Sequence, residues 1–182
     1  MSQYRRAQVP GGTFFFTVVT YKRQTFLCRE EVRIALRDAI EKVRESHPFN
    51  IDAWVLLPDH LHAIWTLPEG DTDYSLRWNL IKRFVTRACA KHLERPEWLS
   101  ASKEKHREST LWQRRFWEHQ IRDDRDYAAH MDYLHFNPMK HGYVERVSDW
   151  PYSSFHRYVR NGVYPSDWSA RSEFDLSVGE PD

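Results

Sequence analysis

Cysteine is scarce, long apolar runs are missing, and the net charge is almost zero. The two cysteines among 182 residues, Cys28 and Cys89, stand far apart with no CxxC. A disulfide framework and a cysteine-rich zinc site are therefore excluded, and a reducing cytoplasm is expected. No apolar stretch approaches the roughly 20 residues a membrane span needs, and residues 1–10 carry Arg5 and Arg6 without an apolar segment that would read as a secretory signal. Repeats and low-complexity tracts are also missing. The net charge of +1 hides an asymmetry. Residues 166–182 hold one base, Arg171, against five acids, Asp167, Glu173, Asp175, Glu180 and Asp182. Residues 1–165 keep 26 bases and 21 acids, a charge of +5.

What is present suits one globular domain over residues 1–165, followed by an acidic tail over 166–182. An apolar content of 41% can fill a core in a chain of this length. A basic body points weakly to nucleic acid, since many basic surfaces are only solvated. Aromatics at 15%, with eight tryptophans, supply flat side chains for a core or for stacking on bases. The tail either lies over a basic cleft and competes with DNA or is a solvated end.

Residues 13–21 (TFFFTVVTY) have the aromatic and β-branched composition of a buried strand, after a Gly11-Gly12 turn. Apolar residues at Val32, Ala35, Leu36, Ala39, Ile40 and Val43 give a helical stripe over 30–46. Strands are expected at 51–57 and 60–67, joined by a turn at Pro58-Asp59. A second helix over 74–93 turns Ile81, Phe84, Val85, Ala88 and Cys89 inward and Lys82, Arg83, Arg87 and Lys91 outward. Residues 95–111 read as a mobile loop, 115–121 as a short strand, and 123–137 as a helix stopping near Asn137, because the residue before Pro138 disfavours helical backbone. Residues 141–158 look irregular. This order predicts an α+β fold, an antiparallel sheet of about four to five strands with helices packed on it, of the split-βαβ or RRM-like type.

Two small constellations carry chemistry. His60 and His62, two apart on a strand, point to one face. That makes a two-ligand half-site for a metal, or a pair of hydrogen-bonded histidines. Tyr133 and Asn137, one helical turn apart with His130 nearby, lie beside the apolar stripe of Tyr127, Met131 and Leu134, at the edge of the core. Taken alone they fit ordinary packing with wet polar tips as well as a site.

The run Leu57-Pro58-Asp59-His60-Leu61-His62-Ala63-Ile64-Trp65-Thr66-Leu67-Pro68-Glu69-Gly70-Asp71 resembles the HUH segment of the REP-associated tyrosine transposases, bacterial relatives of the single-tyrosine transposases of insertion sequences. Tyr4-Arg5-Arg6 with Gly11-Gly12-Thr13, the run Trp112-Gln113-Arg114-Arg115-Phe116-Trp117-Glu118-His119, the run Asp132-Tyr133-Leu134-His135-Phe136-Asn137-Pro138-Met139-Lys140-His141-Gly142, and Asp149-Trp150-Pro151-Tyr152-Ser153-Ser154-Phe155-His156 extend the resemblance over most of residues 4–168 in one order. It implies a divalent metal, Mg²⁺ or Mn²⁺, held by His60, His62 and the Asn137 amide oxygen, with Tyr133 as nucleophile. The partner implied is a single-stranded DNA hairpin at REP palindromes, cut and rejoined through a 5′-phosphotyrosine intermediate, in the cytoplasm at the nucleoid. Candidate phosphate contacts are Arg5, Arg6, Lys82, Arg83, Arg87, Arg114, Arg115 and Arg122. Trp78, Trp112 and Trp117 are candidates for base stacking or for the core. A non-catalytic nucleic-acid module on an RRM-like sheet, a rolling-circle initiator or relaxase, and a His-ligated zinc protein remain as alternatives, and monomer and homodimer stay equally open.

Overall fold

The computed structural model describes residues 7–106 and 108–169. Its elements follow the expected order. Strand β1 (Thr13–Val19), helix α1 (Glu30–Ser46), strands β2 (Asn50–Leu56) and β3 (His60–Thr66), helix α2 (Tyr74–Leu93), a short α3 (Ala101–Lys105), strand β4 (Trp117–Gln120), and helices α4 (Asp124–Lys140) and α5 (Phe155–Arg160) come in turn. The four strands form one antiparallel sheet in the order β2-β3-β1-β4.

Alternation along β1 divides the core in two. Phe14, Phe16 and Val18 point to one face and pack with buried residues of α1 and α2, among them Val32, Leu36, Tyr74, Trp78 and Ile81. Phe15 points to the other face, where Val55, Ile64, Met131, Tyr133 and Leu134 bring α4 onto the sheet. Strand periodicity of two produces this sorting, and each large side chain so buried contributes about 1.5–3 kcal/mol. The register pairs Thr17 with His62 and with Trp117, and Phe15 with Ile64 and with His119, so His60 and His62 lie under α4.

Local chemistry fixes the joints. Gly11, at φ 67°, turns the chain into β1 and donates its N–H to Asp71 O at 2.9 Å. Asp73 caps α2 through Leu76 N, and Asp123 caps α4 through Asp126 N. The β2–β3 turn closes with Leu57 N donating to His60 O at 2.9 Å. No described helix is long and apolar enough to cross a membrane.

The structure corrects several expectations. Helix α4 does not stop at Asn137 but continues through Pro138 to Lys140. The proline removes one N–H, while burial of both Asn137 and Pro138 holds the turn, which is closed by His141 N on Asn137 O and Tyr143 N on Pro138 O, each at 3.0 Å. Residues 95–111 are not a structureless loop: a 3₁₀ turn at Pro96–Trp98 and α3, capped by Ser100, occupy it. The stretch after residue 141 contains a 3₁₀ turn at Val147–Asp149 and α5. Lys82 is buried, not outward, and its ammonium donates to Gln113 O at 3.0 Å; it falls between Trp78 and Val85 on the buried stripe. Ala88, expected inside, is exposed. Trp78 and Trp112 are core residues, so neither is free to stack on a base.

Candidate active site

Strand β3 and helix α4 bring four of the sequence candidates together. His60 and His62 project from adjacent same-face positions with ring centroids 5.0 Å apart, and the Tyr133 ring stands edge-on to His62 at 5.4 Å. All four, His60, His62, Tyr133 and Asn137, are buried; Asn137 is wholly so. The expected wet edge of the core is thus a closed position, because Phe15 packs against both His62 at 5.3 Å and Tyr133 at 5.9 Å.

Each imidazole is oriented by a partner on its far nitrogen. The Asp59 carboxyl is held below its usual range: burial pushes it up, but the hydrogen bond and charge of His60, with Arg23 adding, outweigh burial. An ionised carboxylate only accepts, so His60 Nδ1–H donates to Asp59 Oδ1 at 2.7 Å, and Nε2 is the ring nitrogen left for a ligand. His62 Nδ1 pairs with Thr17 Oγ1 at 2.9 Å. Burial drives the His62 pKa well down, helped by the charges of His60, His141 and Lys140, while the nearby Asn137 amide works the other way. His62 is therefore neutral, the form in which an imidazole ligates.

His62 Nε2 and both polar atoms of the Asn137 amide are buried with no hydrogen-bond partner, although the two side chains are neighbours. Orphaned polar atoms at full burial are uncommon because each costs about 1–3 kcal/mol. Three of them converging beside a second oriented imidazole make a donor set, two imidazole nitrogens and an amide oxygen, that could hold a divalent cation with positions left for phosphate and water. Lys140 adds charge, its ammonium lying 4.9 Å from the Tyr133 ring centroid, and His141 lies 5.1 Å from His60.

The cationic candidates are dispersed. Arg83, Arg87, Arg114, Arg115 and Arg122 are exposed. Arg83 and Arg114 border an open cavity of about 450 Å³ that also includes Trp112 and Gln113. Arg114 pairs with Glu108 at 3.1 Å, and Arg122 sits at the β4–α4 turn, 3.8 Å from Asp126. Arg5 and Arg6 lie outside the described residues. Trp117 is half-buried against Phe15. Reasoning from sequence missed Thr17, Asp59 and Lys140 as supports of the site. Asp59 and Lys140 stand within the motif-bearing runs, whereas nothing in the sequence signals Thr17 until the β1–β3 register puts it opposite His62.

No family model matches the chain. It is 48% identical over 180 residues to the REP-associated tyrosine transposase of Escherichia coli (strain K12), covering 99% of this chain and 98% of that one. It is 44% identical over 176 residues to a putative REP-associated tyrosine transposase of Haemophilus influenzae, covering 97% and 98%. The fold superposes, at a TM-score of 0.82 and 48% identity over 100% of this chain and 99% of the other, on the structure of a REP-associated tyrosine transposase bound to a REP hairpin. With near-full-length identity this high and the same architecture, the chain belongs to the REP-associated tyrosine transposases.

Proposed function

We propose that this chain is a structure-specific single-stranded DNA endonuclease and strand transferase acting at REP-type palindromes, with Tyr133 as its nucleophile. The convergence of the orphaned His62 and Asn137 polar atoms beside the Tyr133 ring carries this reading. Family membership supplies the substrate class, since a relative of the same fold binds a REP hairpin.

Tyr133 Oη attacks the scissile phosphorus, forming the Oη–P bond as the P–O3′ bond breaks; the phenol proton ends on the departing 3′ hydroxyl. The 5′ phosphate stays on the tyrosine, conserving phosphodiester energy for rejoining to another 3′ hydroxyl. A phenol, with an ordinary pKa near 10, is a weak nucleophile at neutral pH. A divalent ion held by His60, His62 and Asn137 would offset charge on the phosphate and favour in-line attack. Phe15 and His62 fix the phenol ring from its sides, and Lys140 lends positive charge where the phosphate must come.

The test is cleavage of single-stranded DNA with a REP-like hairpin and flanking unpaired bases, against DNA whose stem is scrambled, with Mg²⁺, Mn²⁺ or chelator. Cutting confined to the hairpin substrate and abolished by chelation is expected. Equal cutting of both DNAs, or cutting in chelator, contradicts the reading.

A further inference from the structure

A second cluster of ligating side chains lies under α4, outside the site just described. His119 reaches in from β4, and Asp126 and His130 stand one turn apart on α4. His119 Nε2 lies 2.9 and 3.1 Å from the two Asp126 carboxylate oxygens, and His130 Nδ1 lies 3.0 Å from Oδ1. The imidazoles stack nearly parallel, 4.4 Å apart at 15°, and the ligating atoms of all three residues fall within 4.8 Å of one another. His130 is buried, while His119 and Asp126 still reach solvent.

We propose that His119, Asp126 and His130 form a second cation site, for a borderline divalent transition ion such as Zn²⁺. One imidazole suffices to hold a carboxylate in place. The second, laid parallel to the first, aims another nitrogen at the same point. Two imidazoles and one carboxylate suit Zn²⁺, Co²⁺ or Ni²⁺ better than Mg²⁺, and the solvent side leaves room for water ligands. Burial would raise Asp126, but hydrogen bonds from His119 and the Arg122 N–H and the nearby imidazole charge hold it below its usual range, and burial lowers His130. Ligation through His130 Nδ1 gives up its 2.9 Å contact with Asp126 O, which the ion replaces.

The ion would not take part in phosphoryl transfer. Strand β1 separates β3, with His62, from β4, with His119, so two strand spacings, about 10 Å, lie between the sites. Paired catalytic ions sit about 4 Å apart. Its effect is to clamp the first turns of α4 to β4, and the contact passes onward: His130 packs on Phe15 at 4.9 Å, and Phe15 on Tyr133.

Co²⁺ titration by equilibrium dialysis with visible absorption tests the proposal. The H60A/H62A protein should bind one Co²⁺, displaced by Zn²⁺ but not by millimolar Mg²⁺, and adding H119Q or D126N should abolish binding. Wild type should bind one equivalent more than H119Q, a comparison that stands even if H60A/H62A fails to fold. No binding by folded H60A/H62A, or equal stoichiometry in wild type and H119Q, overturns the site and shows a hydrogen-bonded staple only. Neither result touches the reading of Tyr133, whose reaction with DNA is measured separately.

Discussion

A primary amide whose oxygen and nitrogen both lack partners at full burial is a standing penalty of about 1–3 kcal/mol for each atom, and Asn137 bears it. The arrangement is tolerable if the amide serves a bound cation. Asn137→Ala should then lower metal-dependent cleavage by at least about 10²-fold, while metal-free stability stays within about 1 kcal/mol, since loss of the orphaned amide offsets the cavity. Single-turnover cleavage and urea unfolding with chelator check the two halves. Thr17→Val removes the hydroxyl that orients His62, and should weaken metal affinity by about 10–100-fold in calorimetric titration with little change in fold. His135 sets a pH limit. Burial, with Arg157 and His156 adding, pulls it down to about 3. Between pH 6.5 and 3 the unfolded chain takes up a proton on this residue that the folded chain refuses. Its contribution is therefore fully present above about pH 6.5 and declines as pH falls, by up to about 1.4 kcal/mol per pH unit. His135→Gln should flatten the drop in urea stability between pH 6 and 4 by about that slope; an unchanged slope would assign it to other groups.

At the scale of elements, helix α2 hides a charge that its sequence periodicity does not announce. Arg77 is buried and gives its guanidinium to Asp71 at 2.6 and 3.1 Å and to the carbonyls of His47, Pro48 and Asp73. Arg77→Ala strands Asp71 and those carbonyls, and should cost about 3 kcal/mol, read as a lower urea midpoint at unchanged m. Both Arg77 and Lys82 show why burial was only partly legible. Apolar spacing located α2 to the residue, yet a long cation can enter a core when carbonyls await it, and those carbonyls come from distant segments. The β2–β3 hairpin and the shared face of His60 and His62 were readable because strand alternation and turn chemistry are local. The continuation of α4 past Pro138 was not: local preference disfavours it, and tertiary burial of Asn137 prevails. The same burial moves Tyr133 and Asn137 from the core's edge, where the helical wheel alone puts them, into its interior.

For the whole molecule, the basic body and its exposed arginines make affinity for DNA an electrostatic quantity. The log–log salt dependence of binding to a hairpin substrate should flatten by about 0.7–0.9 for each phosphate-contacting arginine removed, with Arg83, Arg87, Arg114, Arg115 and Arg122 each replaced by Ala. An arginine whose removal leaves the slope unchanged is not on the DNA path. Family and architecture were legible because motif runs extend through most of the chain in one order. The closed packing of Phe15, His62 and Tyr133 was not, since it depends on the register of three strands and on a helix laid across them. The most direct test of this chemistry is to incubate the protein with single-stranded hairpin DNA and a divalent ion, and to map any covalent adduct by peptide mass spectrometry. Tyr133 as nucleophile predicts a 5′-phosphotyrosine at that residue in the wild type and none in Tyr133→Phe, which should still bind the hairpin. An adduct persisting in Tyr133→Phe, or wild-type cleavage that leaves a free 5′ phosphate with no adduct, would contradict it.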